Sequence, residues 1–92
     1  MRILAVCGMG LGSGLLLRMQ AEKALRQLGV EADLEVADIN VARGLAQNAD
    51  LIITSKELAE QLGPVRARVV TITNFVDLSE MVDKLRAALA PS

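Results

Sequence analysis

Apolar and polar positions along the chain divide it into eight predicted elements. Four short, continuous apolar runs are typical of strands buried on both faces of a sheet. They lie at residues 2–6, 34–39, 51–54 and 69–72. Four further segments between and after these runs are predicted as helices. They are residues 14–28, 41–47, 56–62 and the stretch from Leu78 to the C-terminus.

Capping residues support the predicted helix ends. Gly29 follows the last apolar position of the first long helix, where a C′ glycine is expected. Ser55 is placed to cap the helix over 56–62, which Gly63-Pro64 ends. Asp77, followed three residues later by Glu80, resembles a capping box for the last helix.

Regular alternation of strands and helices predicts the α/β class, with a parallel four-stranded sheet covered by helices on both faces. We expect residues 1–92 to form a single domain with three layers and the strand order 2-1-3-4. Strand 1 then lies inside the sheet, and its C-terminal end borders the switch point where such folds bind ligands. Cys7 stands at that end.

Composition and charge narrow the classes of function. The chain has ten basic and eleven acidic residues, a net charge of −1 and a single aromatic residue, Phe75. Duplex-binding proteins need clustered positive charge, and single-strand binders need aromatic platforms, so we expect no nucleic-acid partner. No apolar stretch approaches the ~20 residues of a membrane span. We therefore expect a cytoplasmic protein that does not insert into the membrane.

The cysteine and histidine counts limit the chemistry further. One cysteine and no histidine leave neither an internal disulfide nor the usual zinc ligand sets. We expect neither a metal nor a cofactor. Cys7 is also the only strong nucleophile at neutral pH, and a self-contained Cys-His mechanism is impossible.

The glycine-rich segment after strand 1 carries the candidate chemistry. Its backbone N–H groups, with those of the first turn of the following helix, can form a cradle for an anion. Such a cradle would hold a phosphoryl group on the Cys7 sulfur, and it is expected to lower the pKa of the thiol. The predicted catalytic residue is Cys7, and the predicted phosphate-binding residues are Gly8, Met9, Gly10, Leu11, Gly12 and Ser13.

Other phosphate-binding loops fit less well. The segment lacks the third glycine of the dinucleotide fingerprint and the Gly-Lys-Ser/Thr of a Walker loop. In the Cys-x5-Arg loop of thiol phosphatases, an arginine stands where this chain has Ser13. Without a guanidinium on the phosphoryl group, a phosphocysteine should hydrolyse slowly and wait for a better acceptor. This favours a phosphoryl relay over a phosphatase.

Further polar residues fall at or after predicted strand ends, on the same edge as Cys7. Thr54 and Asn74 could bind a phosphoryl oxygen or serve as turn and cap residues, and Asp38 is interpreted as a turn residue. Met9 and Leu11 could contact a partner or pack inward.

The chain resembles the enzyme IIB component of the bacterial sugar phosphotransferase system, in the lactose/ascorbate/galactitol-like group. Residues 3–13, with Cys-Gly-Met-Gly-Leu-Gly-Ser from Cys7, look most like the ascorbate-type loop, Cys-Gly-x-Gly-x-Gly-Ser-Ser. The resemblance extends through residues 49–55 and Asn74-Phe75. Gly14 departs from it, because the ascorbate-type loop has a second serine there.

The resemblance implies a phosphotransferase that works through a phosphocysteine at Cys7. The donor would be the phosphohistidine of an enzyme IIA, and the acceptor a sugar bound by the membrane enzyme IIC. A regulatory domain that uses the same phosphocysteine as a signal remains open. So does, less favourably, a thiol phosphatase or an arsenate reductase-like protein.

Overall fold

Residues 1–8 and 13–90 are described by the structure, a computed structural model, and Ser13 is described by its backbone alone. Strands and helices alternate along the chain. They are β1 (Arg2–Cys7), α1 (Ser13–Leu28), β2 (Asp33–Asp38), α2 (Ile39–Leu45) with a 3-10 turn (Ala46–Asn48), β3 (Leu51–Thr54), α3 (Lys56–Leu62), β4 (Arg68–Thr71) and α4 (Leu78–Leu89).

The four strands form one parallel sheet in the order β2-β1-β3-β4, which confirms the predicted topology. β1 lies between β2 and β3, and it pairs with β2 along its whole length, from Arg2 with Asp33 to Cys7 with Asp38. All four strands therefore end at one edge of the sheet, hereafter the carboxyl edge. Cys7 lies near its middle.

Helices cover both faces of the sheet, as the continuous apolar strands predict. Alternate residues of β1 point to opposite faces, so Ile3 and Ala5 pack under α1 and α4, whereas Leu4 and Val6 pack under α2 and α3. The first of these clusters is the larger. It includes Leu17 of α1 and Met81 of α4, both fully buried.

The ends predicted from Gly29, Ser55 and Gly63 are confirmed. Gly29 has a φ of 69°, and the N–H groups of Gly29 and Val30 donate to the carbonyls of Arg26 and Leu25, which is a Schellman ending. Ser55 Oγ accepts from the N–H of Leu58 at 3.3 Å, and α3 ends at Gly63, whose φ is 75°.

The second helix, predicted over residues 41–47, begins and ends two residues earlier, and its start is set by Asp38, which ends β2 and caps α2. Its Oδ1 accepts from the N–H groups of Asn40 at 2.9 Å and Val41 at 3.0 Å. The helix therefore begins at Ile39, which the apolar run had placed in the strand. Capping by the side chain outweighs the β preference of one isoleucine.

No helix among residues 1–8 and 13–90 is long and apolar enough to cross a membrane.

The two faces of α1 give a direct test of this packing. Leu17 is fully buried, whereas Leu15 is 65% exposed. We expect Leu17→Ala to lower the free energy of unfolding by about 2–5 kcal/mol, and Leu15→Ala to change it by less than about 0.5 kcal/mol. Urea denaturation of both variants measures the difference. Equal losses would show that α1 does not bury the Leu17 face.

Candidate active site

Cys7 is the last residue of β1, and its side chain points toward the face covered by α1. It is 8% exposed, and its Sγ donates to the carbonyl of Ala37 at 3.6 Å. That carbonyl belongs to β2, so the thiol is turned toward the neighbouring strand. Asp38, the register partner of Cys7, follows directly and stands on the same face by strand alternation.

The electrostatic environment of Cys7 differs from the sequence-based expectation. Burial raises the pKa of the thiol, and the carboxylate of Asp38 raises it further. The prediction of a lowered pKa was therefore wrong for the protein by itself. That prediction took account of the backbone donors of the loop. It did not take account of burial, or of the Asp38 carboxylate, which pairing of β1 with β2 places beside Cys7. At neutral pH the thiol keeps its proton.

The predicted phosphate cradle is described only at its two ends. Gly8 follows Cys7 directly, and Ser13 is the first residue of α1. Met9, Gly10, Leu11 and Gly12 lie outside the described residues, so their phosphate-binding role stays a prediction. The sixteen residues of α1 bring the positive end of a helix dipole to the carboxyl edge beside Cys7.

Thr54 has a structural role next to Cys7. It is fully buried at the end of β3, and its hydroxyl donates to the carbonyl of Val6 at 2.9 Å. This bond fastens the end of β3 to the residue before Cys7. Two roles were left open for Thr54, phosphate binding and a structural role at the end of a strand. The structure supports the structural role, because the hydroxyl proton is donated to the backbone carbonyl of Val6.

Asn74 belongs to a turn that Glu80 holds in place. Asn74 Oδ1 accepts from the N–H of Val76 at 3.1 Å. The Glu80 carboxylate accepts from the N–H of Thr73 at 2.7 Å and of Asn74 at 2.9 Å, and from Lys84 Nζ at 2.6 Å. Residues 73–76, hereafter the β4–α4 turn, are thus tied to the first turn of α4.

The capping box predicted around Asp77 is half correct. Asp77 Oδ1 accepts from the N–H of Glu80 at 3.2 Å, but the Glu80 side chain reaches the turn instead of the cap residue. Its bonds to Lys84 and to the backbone lower the pKa of Glu80 to about 2. The stability that this carboxylate contributes is full above its ordinary pKa and is lost as the pH falls toward about 2.

A groove of about 500 Å³ lies beside this turn, at the ends of β3 and β4. Its lining includes Ser55, Lys56, Phe75 and Val76. Within the described ranges, no group of three histidine, cysteine, aspartate or glutamate side chains is placed to hold a metal ion.

The sequence did not predict two features of the site, the effect of Asp38 on Cys7 and the position of Gly14 against the sulfur. The effect of Asp38 on Cys7 follows from the strand order, because parallel neighbours that end together place their last side chains side by side. The first turn of α1 also places Gly14 against the Cys7 sulfur, since a Cβ atom at position 14 would be 2.9 Å from Sγ. That contact depends on how α1 packs on the sheet. A glycine in the first turn of a helix is a weak signal for it.

Three comparisons relate the chain to known proteins. Residues 2–87 match the sequence family described as "PTS system, Lactose/Cellobiose specific IIB subunit". An "Ascorbate-specific PTS system EIIB component" of Mycoplasma pneumoniae is 31% identical over 90 residues, covering 97% of this chain and 95% of the relative. A protein of the same description from Shigella sonnei is 29% identical over 85 residues, or 91% of this chain and 84% of the relative.

The fold has a match among solved structures. The lactose-specific IIB component domain from Streptococcus pneumoniae superposes with a TM-score of 0.58 at 19% identity, over 97% of this chain and 94% of that one. At 19% identity, this structural similarity supports the assignment of the fold alone.

Replacing the carboxylate beside Cys7 should increase the reactivity of the thiol. In Asp38→Asn the charge that raises the pKa is gone, while asparagine caps α2 about as well as aspartate. Burial still raises the pKa in this variant, but we expect the iodoacetamide alkylation rate at neutral pH to rise, because a lower pKa increases the thiolate fraction. The matched control is Asp33→Asn, at the opposite end of β2. A wild-type rate in Asp38→Asn would contradict the assignment.

The bond between Thr54 and Val6 should matter for stability. Thr54→Val keeps the shape but leaves a buried carbonyl without its partner, and we expect a loss of about 1–3 kcal/mol in the free energy of unfolding. Thr54→Ser keeps the hydroxyl and separates this loss from that of the methyl group. If thermal or urea unfolding shows serine to be the worse replacement, packing of the methyl group is the stronger contribution.

Proposed function

This chain belongs to the family of lactose/cellobiose-specific IIB subunits of the sugar phosphotransferase system, and on that premise we propose that Cys7 is its phosphoryl carrier. The donor in this proposal is the phosphohistidine of an enzyme IIA. The acceptor is a sugar bound by the membrane enzyme IIC. Residues 1–92 act as one domain, on the cytoplasmic side of the membrane.

One observation carries the proposal. A chain without histidine places its single thiol at the carboxyl edge, directly before a glycine-rich segment and beside the first turn of a long helix. The thiol supplies a nucleophile, and the backbone N–H groups supply donors for the oxygens of a phosphoryl group. A chain that accepts and passes on a phosphoryl group needs both.

The first transfer balances without a base from this chain. The Cys7 sulfur attacks phosphorus in line as the bond between phosphorus and the histidine nitrogen of the donor breaks. The leaving imidazole keeps the electron pair of that bond and takes up the thiol proton. A thiol that holds its proton at neutral pH therefore brings the proton that the donor needs.

The second transfer returns the thiolate. A hydroxyl oxygen of the sugar attacks phosphorus, the sulfur–phosphorus bond breaks, and the sulfur keeps the electron pair. The hydroxyl proton passes to the thiolate or to water. Since residues 8–12 contain no charged side chain, this segment supplies no group that activates water, and the phosphocysteine persists until an acceptor docks.

The surroundings of Cys7 suit docking by partner proteins. Six large apolar side chains are exposed among the described residues, and four of them lie in segments that follow the carboxyl end of a strand. Those four are Leu15 and Met19 on α1, Val41 on α2 and Val76 in the β4–α4 turn. Exposed apolar side chains of this kind are often covered by partner proteins.

The relatives indicate which acceptor to test first. Both relatives described above are named as ascorbate-specific, so we propose an acceptor of the ascorbate type. The glycine at position 14 distinguishes this chain from the ascorbate-type loop at one position of the site.

Phosphate incorporation tests the proposal. Incubation with phosphoenolpyruvate, the general phosphoryl carriers and the cognate enzyme IIA should add the mass of one phosphoryl group, and Cys7→Ser should add none. Intact-protein mass spectrometry measures both. Uptake by Cys7→Ser, or none by the wild type, would overturn the relay.

A second measurement separates the alternatives. Rapid turnover of an aryl phosphate by the free protein would favour a thiol phosphatase, which we do not expect because Ser13 stands at the arginine position. Loss of the phosphoryl group to ascorbate in membranes that contain the cognate enzyme IIC would support transport. Retention of the group in those membranes would favour a regulatory domain.

A further inference from the structure

Gly14 lies against the Cys7 sulfur. A Cβ atom at position 14 would be 2.9 Å from Cys7 Sγ, 3.3 Å from Val36 Cγ1 and 3.8 Å from Cys7 Cβ. The first distance is shorter than carbon and sulfur tolerate. Gly44, within α2, has no atom within 4 Å of the corresponding position. The first turn of α1 thus approaches the sulfur closely because residue 14 lacks a side chain.

The thiol occupies the space that this glycine leaves. Its sulfur is turned toward β2, where it donates to the carbonyl of Ala37, and Cys7 is 8% exposed. Gly14 closes the site from α1, and Val36 and Ala37 close it from β2. A phosphoryl group carries three oxygens on phosphorus. The space on that side of the sulfur is too small for one carbon atom, and it is therefore too small for a phosphoryl group.

We propose that Gly14 is a positioning residue that gives the Cys7 thiol a retracted resting position under the first turn of α1, from which the sulfur must turn outward to carry a phosphoryl group. The outward step rests on the proposed relay. The retracted position does not, since it is a property of the free protein.

Close packing of α1 on Val36 alone is the competing explanation, since the same Cβ would also press on that side chain. The two explanations differ in what happens to the sulfur when Val36 is made smaller.

Alkylation of the free protein by iodoacetamide distinguishes them. We expect Gly14→Ala to displace the sulfur toward solvent and lower the pKa of the thiol, so that its rate rises and its pH profile moves to lower pH, about tenfold in rate per pKa unit. Among the described residues, Asp38 is the charged group that acts on Cys7, and residues 13–16 of α1 and Thr54 of β3 bring no charge. Gly44→Ala is the matched control and should keep the wild-type profile.

The double variant Gly14→Ala/Val36→Ala removes the contact with Val36 and keeps the one with sulfur. Its alkylation rate should stay raised if Gly14 positions the thiol. Return to the wild-type rate would assign the effect to packing on Val36 and overturn the proposal. A wild-type rate in the single variant Gly14→Ala would overturn it as well.

NMR of the wild-type protein gives a test that does not depend on whether the variants fold. Side-chain coupling constants of Cys7 should show one χ1 rotamer, with a nuclear Overhauser contact between its Hβ atoms and the Hα atoms of Gly14. Averaged χ1 couplings without that contact would overturn the proposal. Because neither alkylation nor NMR needs a partner protein, failure here and failure of phosphate uptake are separate results.

Discussion

The contact between the first turn of α1 and the end of β1 is the constraint on which the site depends. β1 is an interior strand, so its last residue is flanked by β2 and β3 and covered by a helix. Thr54 fixes the backbone before Cys7 from one side, and pairing with β2 fixes it from the other. Among the described residues, the backbone of β2 and the first turn of α1 therefore both contact the thiol. Nucleophile and helix N-terminus are brought together by the packing of the core.

The thiol is both the reactive group and a buried side chain, and these roles make opposite demands. A buried sulfur beside a carboxylate prefers to stay protonated. A nucleophile must lose that proton. In the proposed relay the two demands are met at different times, since the partner that brings the phosphoryl group also brings a nitrogen that accepts the proton. The free protein can then keep an unreactive thiol, and reactivity arises in the complex.

Elements with strong periodic signals could be predicted from the sequence, and side-chain contacts between elements could not. The apolar runs predicted four strands and their order, and glycine, serine and aspartate predicted the helix ends, because these are local effects of burial and capping. The start of α2 was missed because Asp38 serves both strand and helix. Glu80 was placed in the capping box, but the N–H groups of a more distant turn bind it better. Gly14 owes its importance to a sulfur seven residues away, a contact that only the packing of α1 creates.

The carboxylate of Glu80 in the β4–α4 turn has a consequence for anion competition. Two backbone N–H groups in consecutive residues form the sort of nest that inorganic phosphate or sulfate occupies. Here that nest holds a tethered anion at every physiological pH, because the pKa of Glu80 is about 2 and the carboxylate stays charged. Dissolved phosphate must displace a side chain of the protein itself to bind these two donors. The Glu80 side chain thus competes with dissolved anions for the N–H groups of Thr73 and Asn74.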